Sequence, residues 1–395
     1  MPIINSIADR AAEITEWRRD FHAHPELGFD VHRTAGIVAE KLRAFGCDEV
    51  VTGIGRTGVV GVIKGRATGS GKVVGMRADM DALPIIEARD IPHKSTVHGK
   101  MHACGHDGHT AMLLGAAQHL AETRNFDGTV VVIFQPAEEG GGGGREMVQD
   151  GMMERFGIQQ VYGMHNYPGL PVGQFAVRPG PMLAAADTFH IRVEGRGGHA
   201  AKPHQCIDTT LVAASILQGI QSIAGRNVDP IESAVVSVTS FDTGPWSHNV
   251  IPQEVKLTGT ARTLTPANRD LVEERLGRLV EHTALAFGAK AELNYLRDYP
   301  VTVNDDAAAM FAADVAEEVA GDGKVNRNIA PVMGGEDFSF MLNERPGNYI
   351  WMGSKSDDHA SGRLHYPDYD FNDAAIPLGV GYWLELTDRL LPGAR

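Results

Sequence analysis

Cysteine is scarce in this chain and basic charge is in deficit. Among 395 residues only Cys47, Cys104 and Cys206 are cysteines. They are far apart and odd in number, which argues against a disulfide framework and for a reducing, cytoplasmic setting. Lysine and arginine total 36 against 50 aspartates and glutamates, a net charge of −14. Nucleic acid and anionic membrane surfaces call for a basic face, so neither is an expected partner. A small acidic substrate stays compatible, because a few local cations hold one carboxylate. No apolar run approaches the ~20 residues of a membrane helix. The opening "MPIINSIADRAAEITEWRRD" has no basic region, apolar core and small-residue cleavage site in succession, so no secretory signal is expected.

What is present is core material. Hydrophobic residues make up 43% of the chain, and the length predicts two domains, or one with an insertion. Residues 8–23 and 32–46 read as helices, the second with Ile37, Val38, Leu42 and Phe45 at helical spacing. Glycine-bounded apolar runs follow, "TGVVGVIKG", "KVVGMRADMDALP" and "GTVVVIFQPAEEGG", each a buried strand by pattern. Helical "GHTAMLLGAAQHLAET" lies between two of them, and "VYGMHNYPGLPVG" adds another strand. The alternation predicts an α/β domain with a largely parallel central sheet flanked by helices.

The rhythm changes near Asp187. Strand "DTFHIRVEGRGG" precedes a helix with Val212, Ile216, Ile220 and Ile223 on one face. Strands "SAVVSVTSFD" and "EVKLTGTARTL" come next. Thr265–Pro266 then opens a helix with Val272, Leu276, Leu279 and Phe287 along its stripe, and "KAELNYLRDYP" closes the set. This β-α-β-β-α-β order is the ferredoxin-like unit. The expected division is therefore 1–185 with 300–395 as one domain and 186–299 as an insert. The chain returns through "GGEDFSFML" and ends in the amphipathic "IPLGVGYWLELTDRLL".

Chemistry gathers where strands end. Ligands of open α/β sheets collect at the carboxyl edge. Asp79 and Asp81 follow "VVGM", Glu138 and Glu139 follow "VVVIFQPA", and His165 follows "VYGM". A Cys104–Gly105–His106 loop stands at the start of a helix, in the stretch "HACGHDGH". Singly, most of the 17 histidines are surface or core residues; His24, His93, His98 and His119 carry no signal. His102 and His109 read as partners of ligands or as a helix-start pair, and Met101, Met112, Met152 and Met153 as packing. "GIGRTG" (53–58) matches a dinucleotide fingerprint, but a strand pattern follows it where the fingerprint needs a helix, so it reads as a turn between strands. The run Gly140–Gly144 lacks a Lys–Ser/Thr ending and reads as backbone passing close to a crowded site.

"MRADMDALP", "HACGHDGH", "FQPAEEGG", "GMHN", "GRGGHAAKPH", "NVIP", "GGEDF" and "LHYPDYDF" occur in this order along nearly the whole chain. Together they resemble the M20 metallopeptidase family, subfamily D, amidohydrolases that include hippurate hydrolases, auxin–amino-acid conjugate hydrolases and related aminoacylases. The resemblance implies a dimetal catalytic domain with an inserted lid and dimerisation domain. It implies two divalent ions per subunit, held by Cys104, His106, Glu139, His165 and His365, with a Cys104 thiolate bridging. Such S, N and O ligation suits Zn²⁺, Mn²⁺, Co²⁺ or Ni²⁺ rather than Mg²⁺ or Ca²⁺. Asp81 aligns with an acid that orients a ligating histidine. Glu138 is then general base and acid, taking the proton of a metal-bound water and returning it to the leaving amine. His199 of "GGHAAKPH" would polarise the scissile carbonyl, often from a partner subunit. Asn249 of "NVIP" would bind the substrate carboxylate, with Arg262 of "GTART" as a second candidate. Nearby Trp246 is a candidate pocket wall for an aryl acyl group.

The implied activity is hydrolysis of N-acyl-L-amino acids to a carboxylate and a free amino acid by a homodimer, with a tetramer as the other assembly. The alternatives are a metallo-dipeptidase or carboxypeptidase on the same scaffold, a cysteine hydrolase using Cys104, and a binding protein that keeps the fold without catalysis.

Overall fold

The computed structural model describes residues 5–245, 247–355 and 363–393. The chain divides into two compact units, one of Met1–Gly180, Val303–Ala330 and Asp337–Arg395, the other of Pro181–Thr302 and Pro331–Glu336.

The first unit opens with helices α1 (Asn5–Ala23) and α2 (His32–Ala44), followed by strands β1 (Glu49–Ile54), β2 (Gly58–Lys64) and β3 (Val73–Asp79). β1 and β2 pair antiparallel across Gly55–Thr57, so "GIGRTG" is a hairpin and no helix follows it. Helix α3 (His106–Thr123), strand β4 (Thr129–Gln135), helix α4 (Gly143–Gln149) and strands β5 (Gln160–Pro171) and β6 (Phe175–Ala176) complete this stretch. Val130–Phe134 are fully buried, as a strand covered on both faces requires.

The second unit contains β7 (Ala185–Glu194), β8 (Gly198–His199), α5 (Thr209–Arg226), β9 (Ala234–Asp242), β10 (Val250–Ile251), β11 (Glu254–Thr263), α6 (Pro266–Ala286) and β12 (Lys290–Tyr299). Its four-stranded sheet runs β9-β11-β7-β12 with every pairing antiparallel, the ferredoxin-like order. Asp208 caps α5 by accepting from the Thr210 and Leu211 N–H groups; Thr265 caps α6 by accepting from Asn268, with Pro266 in the first turn. Val212, Ile216, Ile220 and Ile223 of α5 meet Val272, Leu276 and Val280 of α6 in one core. Phe287 departs from expectation: it stands beyond the last turn of α6 and is 42% exposed, while Val280 and Ala284 take the buried stripe.

Returning to the first unit, α7 (Asp306–Ala320), β13 (Val325–Asn326), β14 (Gly347–Lys355) and α8 (Ile376–Leu390) follow. The eight-stranded sheet has the order β1-β2-β4-β3-β5-β14-β6-β13. Its centre, β4-β3-β5-β14, is parallel. α3 packs against α1 and α8 and is buried nearly all round, with Met112 to Leu114, Ala116 and Ala117 fully covered. Small residues allow that closeness: a Cβ on Gly115 would lie 2.6 Å from Ile14, and one on Gly379 2.1 Å from the Met112 sulfur.

Candidate metal centre

Parallel pairing brings several strand ends to one edge. β3 and β4 are in register at Asp79 and Gln135, and β3 and β5 at Arg77 and Gly163. Asp81, Glu138–Glu139 and His165 therefore emerge side by side. Backbone special conformations aim them. Ala137 has φ 53°, a left-handed turn immediately before Glu138 that places both glutamates. Gly105, at φ 95°, precedes His106, the first residue of α3. His365 has φ 66° and its N–H donates to Ala103 O at 2.7 Å, tying it to the Cys104 loop. The glycine run behind Glu139 is a contact requirement: a Cβ on Gly143 would sit 1.7 Å from Pro136 O.

The side chains converge. Cys104 Sγ lies 3.4 Å from His165 Nε2, and His365 Nε2 lies 3.2 Å from Glu139 Oε1. Ligand atoms of Cys104, His106 and His165 lie within 4.8 Å of one another, as do those of Cys104, Glu139 and His365, and those of His106, Glu138 and Glu139. Cys104, His106 and Glu138 are buried, while the His365 side chain is about half exposed and forms the rim. Asp81 accepts from the N–H groups of Glu138 and Glu139 at 3.0 and 3.1 Å, and its Oδ1 lies 3.5 Å from His106 Nδ1. Its carboxylate holds both glutamate backbones and faces the histidine.

A second layer of residues lies behind these, and in it His109 is a partner residue, one of the two readings its sequence position allows. The Asp79 carboxylate holds two side chains: Oδ2 accepts from Arg77 at 2.6 Å and Oδ1 from His109 Nδ1 at 2.7 Å. The Asn166 N–H donates to His109 Nε2 at 2.9 Å, which fixes the His109 proton on Nδ1. Arg77 also reaches Gln135 and Asp337, and Asp337 accepts from the Gly144 N–H. His93, which carries no signal in the sequence, bonds the buried Arg18 guanidinium and Asp370. The Asp79–His109 pair is hinted at by "RADMD" and "HACGHDGH"; the Arg18–Asp370 pair, 352 positions apart, has no local signal.

Burial is the largest influence on Cys104, and with the charges of Glu139, Glu138 and Asp79 it pushes the thiol well above its usual range. Burial holds the His165 imidazole neutral, and its Nδ1–H donates to Asn166 O at 2.6 Å, leaving the Nε2 lone pair facing Cys104. Burial also opposes charge on His106, but Asp79, Asp81 and Glu139 outweigh it and raise that group to about 10. Neither ring nitrogen of buried His106 makes a well-aligned hydrogen bond among the described residues; Asp81 Oδ1 stands off at 3.5 Å from Nδ1. Buried polar atoms left in this way are costly, and a bound divalent ion would satisfy them. One thiolate, imidazoles and carboxylates form a donor set suited to the later first-row divalent ions.

Comparison with known proteins fits this geometry. The model of peptidase family M20/M25/M40 matches residues 75–389. The chain belongs to this family. It is an M20 hydrolase whose relatives carry amidohydrolase names. It is 40% identical over 391 residues to a hippurate hydrolase of Campylobacter jejuni, covering 99% of this chain and all of that one. It is 38% identical to an N-acetylcysteine deacetylase of Bacillus subtilis, covering 96% and 98% of the two chains. Among solved structures, the B. subtilis YXEP protein, described as a dinuclear metal binding peptidase of the M20 family, superposes with a TM-score of 0.82 at 35% identity, covering 98% of this chain and 100% of that one.

The remaining site candidates of this M20 chain belong to the second unit. His199 on β8 pairs with Val250 on β10, and the Asn249 carbonyl accepts from the Ala200 N–H at 2.9 Å, so His199 and Asn249 stand side by side and exposed. Ser247 Oγ donates to Asn249 Oδ1. Arg262 is on β11, where its guanidinium donates to Thr260 Oγ1 at 2.6 Å. Trp246 lies outside the described residues.

Proposed function

We propose that this M20 chain hydrolyses the amide bond of N-acyl-L-amino acids, using two divalent ions (Zn²⁺, Mn²⁺, Co²⁺ or Ni²⁺) held by Cys104, His106, Glu139, His165 and His365. The observation that carries the reading is the convergence of those five side chains, from four separate segments, with Glu138 beside them. When bound, the ions supply Lewis acidity toward water and the carbonyl oxygen. Glu138 takes a proton from the attacking water as the C–O bond forms, then passes it to the nitrogen as the C–N bond breaks. A carboxylate and a free amino acid leave. Asp81 keeps Glu138 and Glu139 in place through their backbone N–H groups. A cysteine-nucleophile reading is disfavoured, because a reactive thiol needs a depressed pKa and Cys104 is pushed the other way.

The first unit is the catalytic domain in this reading and the second the lid and dimerisation domain of a cytoplasmic homodimer. His199 polarises the carbonyl, and Asn249 and Arg262 hold the substrate carboxylate; the order of the M20 motifs supports these roles. No described helix is long and apolar enough to cross a membrane. The test is a paired assay of amino-acid release from N-benzoyl and N-acetyl amino acids and from free dipeptides, with metal-reconstituted protein. Preference for the N-acyl compounds supports the reading; preference for dipeptides transfers the activity to the metallo-dipeptidase alternative.

A further inference from the structure

Asn166 follows the ligand candidate His165 and is completely buried. Its side-chain Nδ2 donates to the Cys104 carbonyl at 2.6 Å and stands 3.1 Å from His109 Nε2. Oδ1 accepts from the Tyr369 hydroxyl at 2.7 Å and from Ser354 Oγ at 3.2 Å. A carbonyl only accepts, so the atom facing Cys104 O is the NH₂ group, and the amide orientation follows. The backbone of the same residue donates to His109 Nε2 and accepts from His165 Nδ1. One residue thus touches the Cys104 backbone, the His165 ring and the His109 that Asp79 holds. Through Tyr369 it also reaches the segment that follows His365. The Cys104–His106 loop is shaped around it: a Cβ on Gly105 would lie 2.2 Å from Asn166 Nδ2 and 2.7 Å from the Tyr369 hydroxyl. No wider residue fits between Cys104 and His106 while that amide is in place.

We infer that Asn166 is a positioning residue for the metal centre: its amide sets the separation between the Cys104 thiol and the His165 imidazole, and so the geometry in which both meet one ion. This rests on the metal reading above. The amide is suited to the task because it donates on one side and accepts on the other at a single fixed length. Aspartate has the same shape but presents an oxygen to the Cys104 carbonyl, turning a hydrogen bond into a repulsion in a dry site.

The experiment titrates chelated full-length protein with Co²⁺ against a competing chelator, following affinity and the thiolate-to-cobalt charge-transfer band. Melting of the metal-free protein is measured in parallel. Asn166→Asp is expected to weaken Co²⁺ binding by about 10- to 100-fold, the usual effect of removing a partner of a metal ligand, and to shift or weaken the band. Wild-type affinity and band in Asn166→Asp overturn the inference, even when its melting temperature falls, since that pattern is one of general packing alone. Should Asn166→Asp not fold, Tyr369→Phe, which removes one donor to Oδ1, decides: a smaller change in the same direction supports the role, and an unaltered band with unaltered affinity overturns it. Wild-type protein that binds no Co²⁺ through Cys104 removes the metal reading and this inference with it; wild-type binding with an indifferent Asn166 removes this inference alone.

Discussion

Glu138 and Glu139 are adjacent and share the grip of Asp81 on their backbones, yet their side chains have different neighbours. Glu139 faces His365 and Cys104, whereas both glutamates share a cluster with His106. The division of labour predicts that Glu138→Gln keeps its metal content while turnover falls at least 10²- to 10⁴-fold, the usual contribution of a positioned base. Elemental analysis beside steady-state kinetics checks it; near-normal kcat contradicts the base assignment. Cys104→Ala is expected to lose metal instead. Protons follow from the same environment. Without metal, burial and neighbouring carboxylates keep the Cys104 thiol protonated, and the carboxylates around His106 raise it to about 10. Ligation needs both groups deprotonated, so uptake releases protons and affinity rises with pH across the neutral range. Calorimetric titration in buffers of different ionisation enthalpy measures the release; pH-independent affinity contradicts it.

At the level of elements, the first turn of α3 joins the centre to the rest of its unit. Asp107 is fully buried beside Arg18 Nε at 2.9 Å and His22 Nδ1 at 2.8 Å. Burial alone would raise the Asp107 carboxyl, but Arg18 and His22 outweigh it and hold it far below the usual carboxylate range. A depressed folded-state pKa means stability that is present above the unfolded value near ~4 and is lost as pH falls below it. Asp107→Asn leaves Arg18 short of a partner and is expected to cost about 3–5 kcal/mol at neutral pH. It also flattens the acid limb of the stability curve, measured on chelated protein. At the next residue, a Cβ on Gly108 would lie 2.4 Å from the buried Phe371 ring. Gly108→Ala is therefore expected to destabilise by about 1–3 kcal/mol through overpacking, and denaturant unfolding checks the value. Elements of this kind were legible where periodicity is local. The stripe of α5 is carried by residues three or four apart, and the start of α6 by the adjacent Thr265 and Pro266. Phe287 departs from the expected stripe because its spacing continues past the point where the helix stops. Arg18, His93 and Asp370 were invisible as a network, since nothing in the sequence says which distant charges will share one buried pocket.

Across the whole molecule, the candidate ligand set was legible because the motifs occur in a fixed order, and each supplies a side chain whose chemistry is recognisable by type. Asn166 was not: it closes the motif "GMHN" after His165, and nothing local says that Cys104, His109 and Tyr369 will surround its amide. The two units have separate apolar cores, one containing Met112, Phe134 and Trp383, the other Phe189, Ile216 and Leu276. Calorimetry is expected to resolve more than one transition. Excess divalent metal should raise only the transition of the first unit, by about 2.7 kcal/mol at a hundredfold excess over Kd. A single transition that metal leaves in place contradicts this. The most direct test of the central claim is turnover of an N-acyl amino acid by one preparation before chelation, after exhaustive chelation, and after return of Mn²⁺, Co²⁺ or Zn²⁺. The account predicts that activity disappears and then returns with metal; full turnover by the metal-free protein would contradict it.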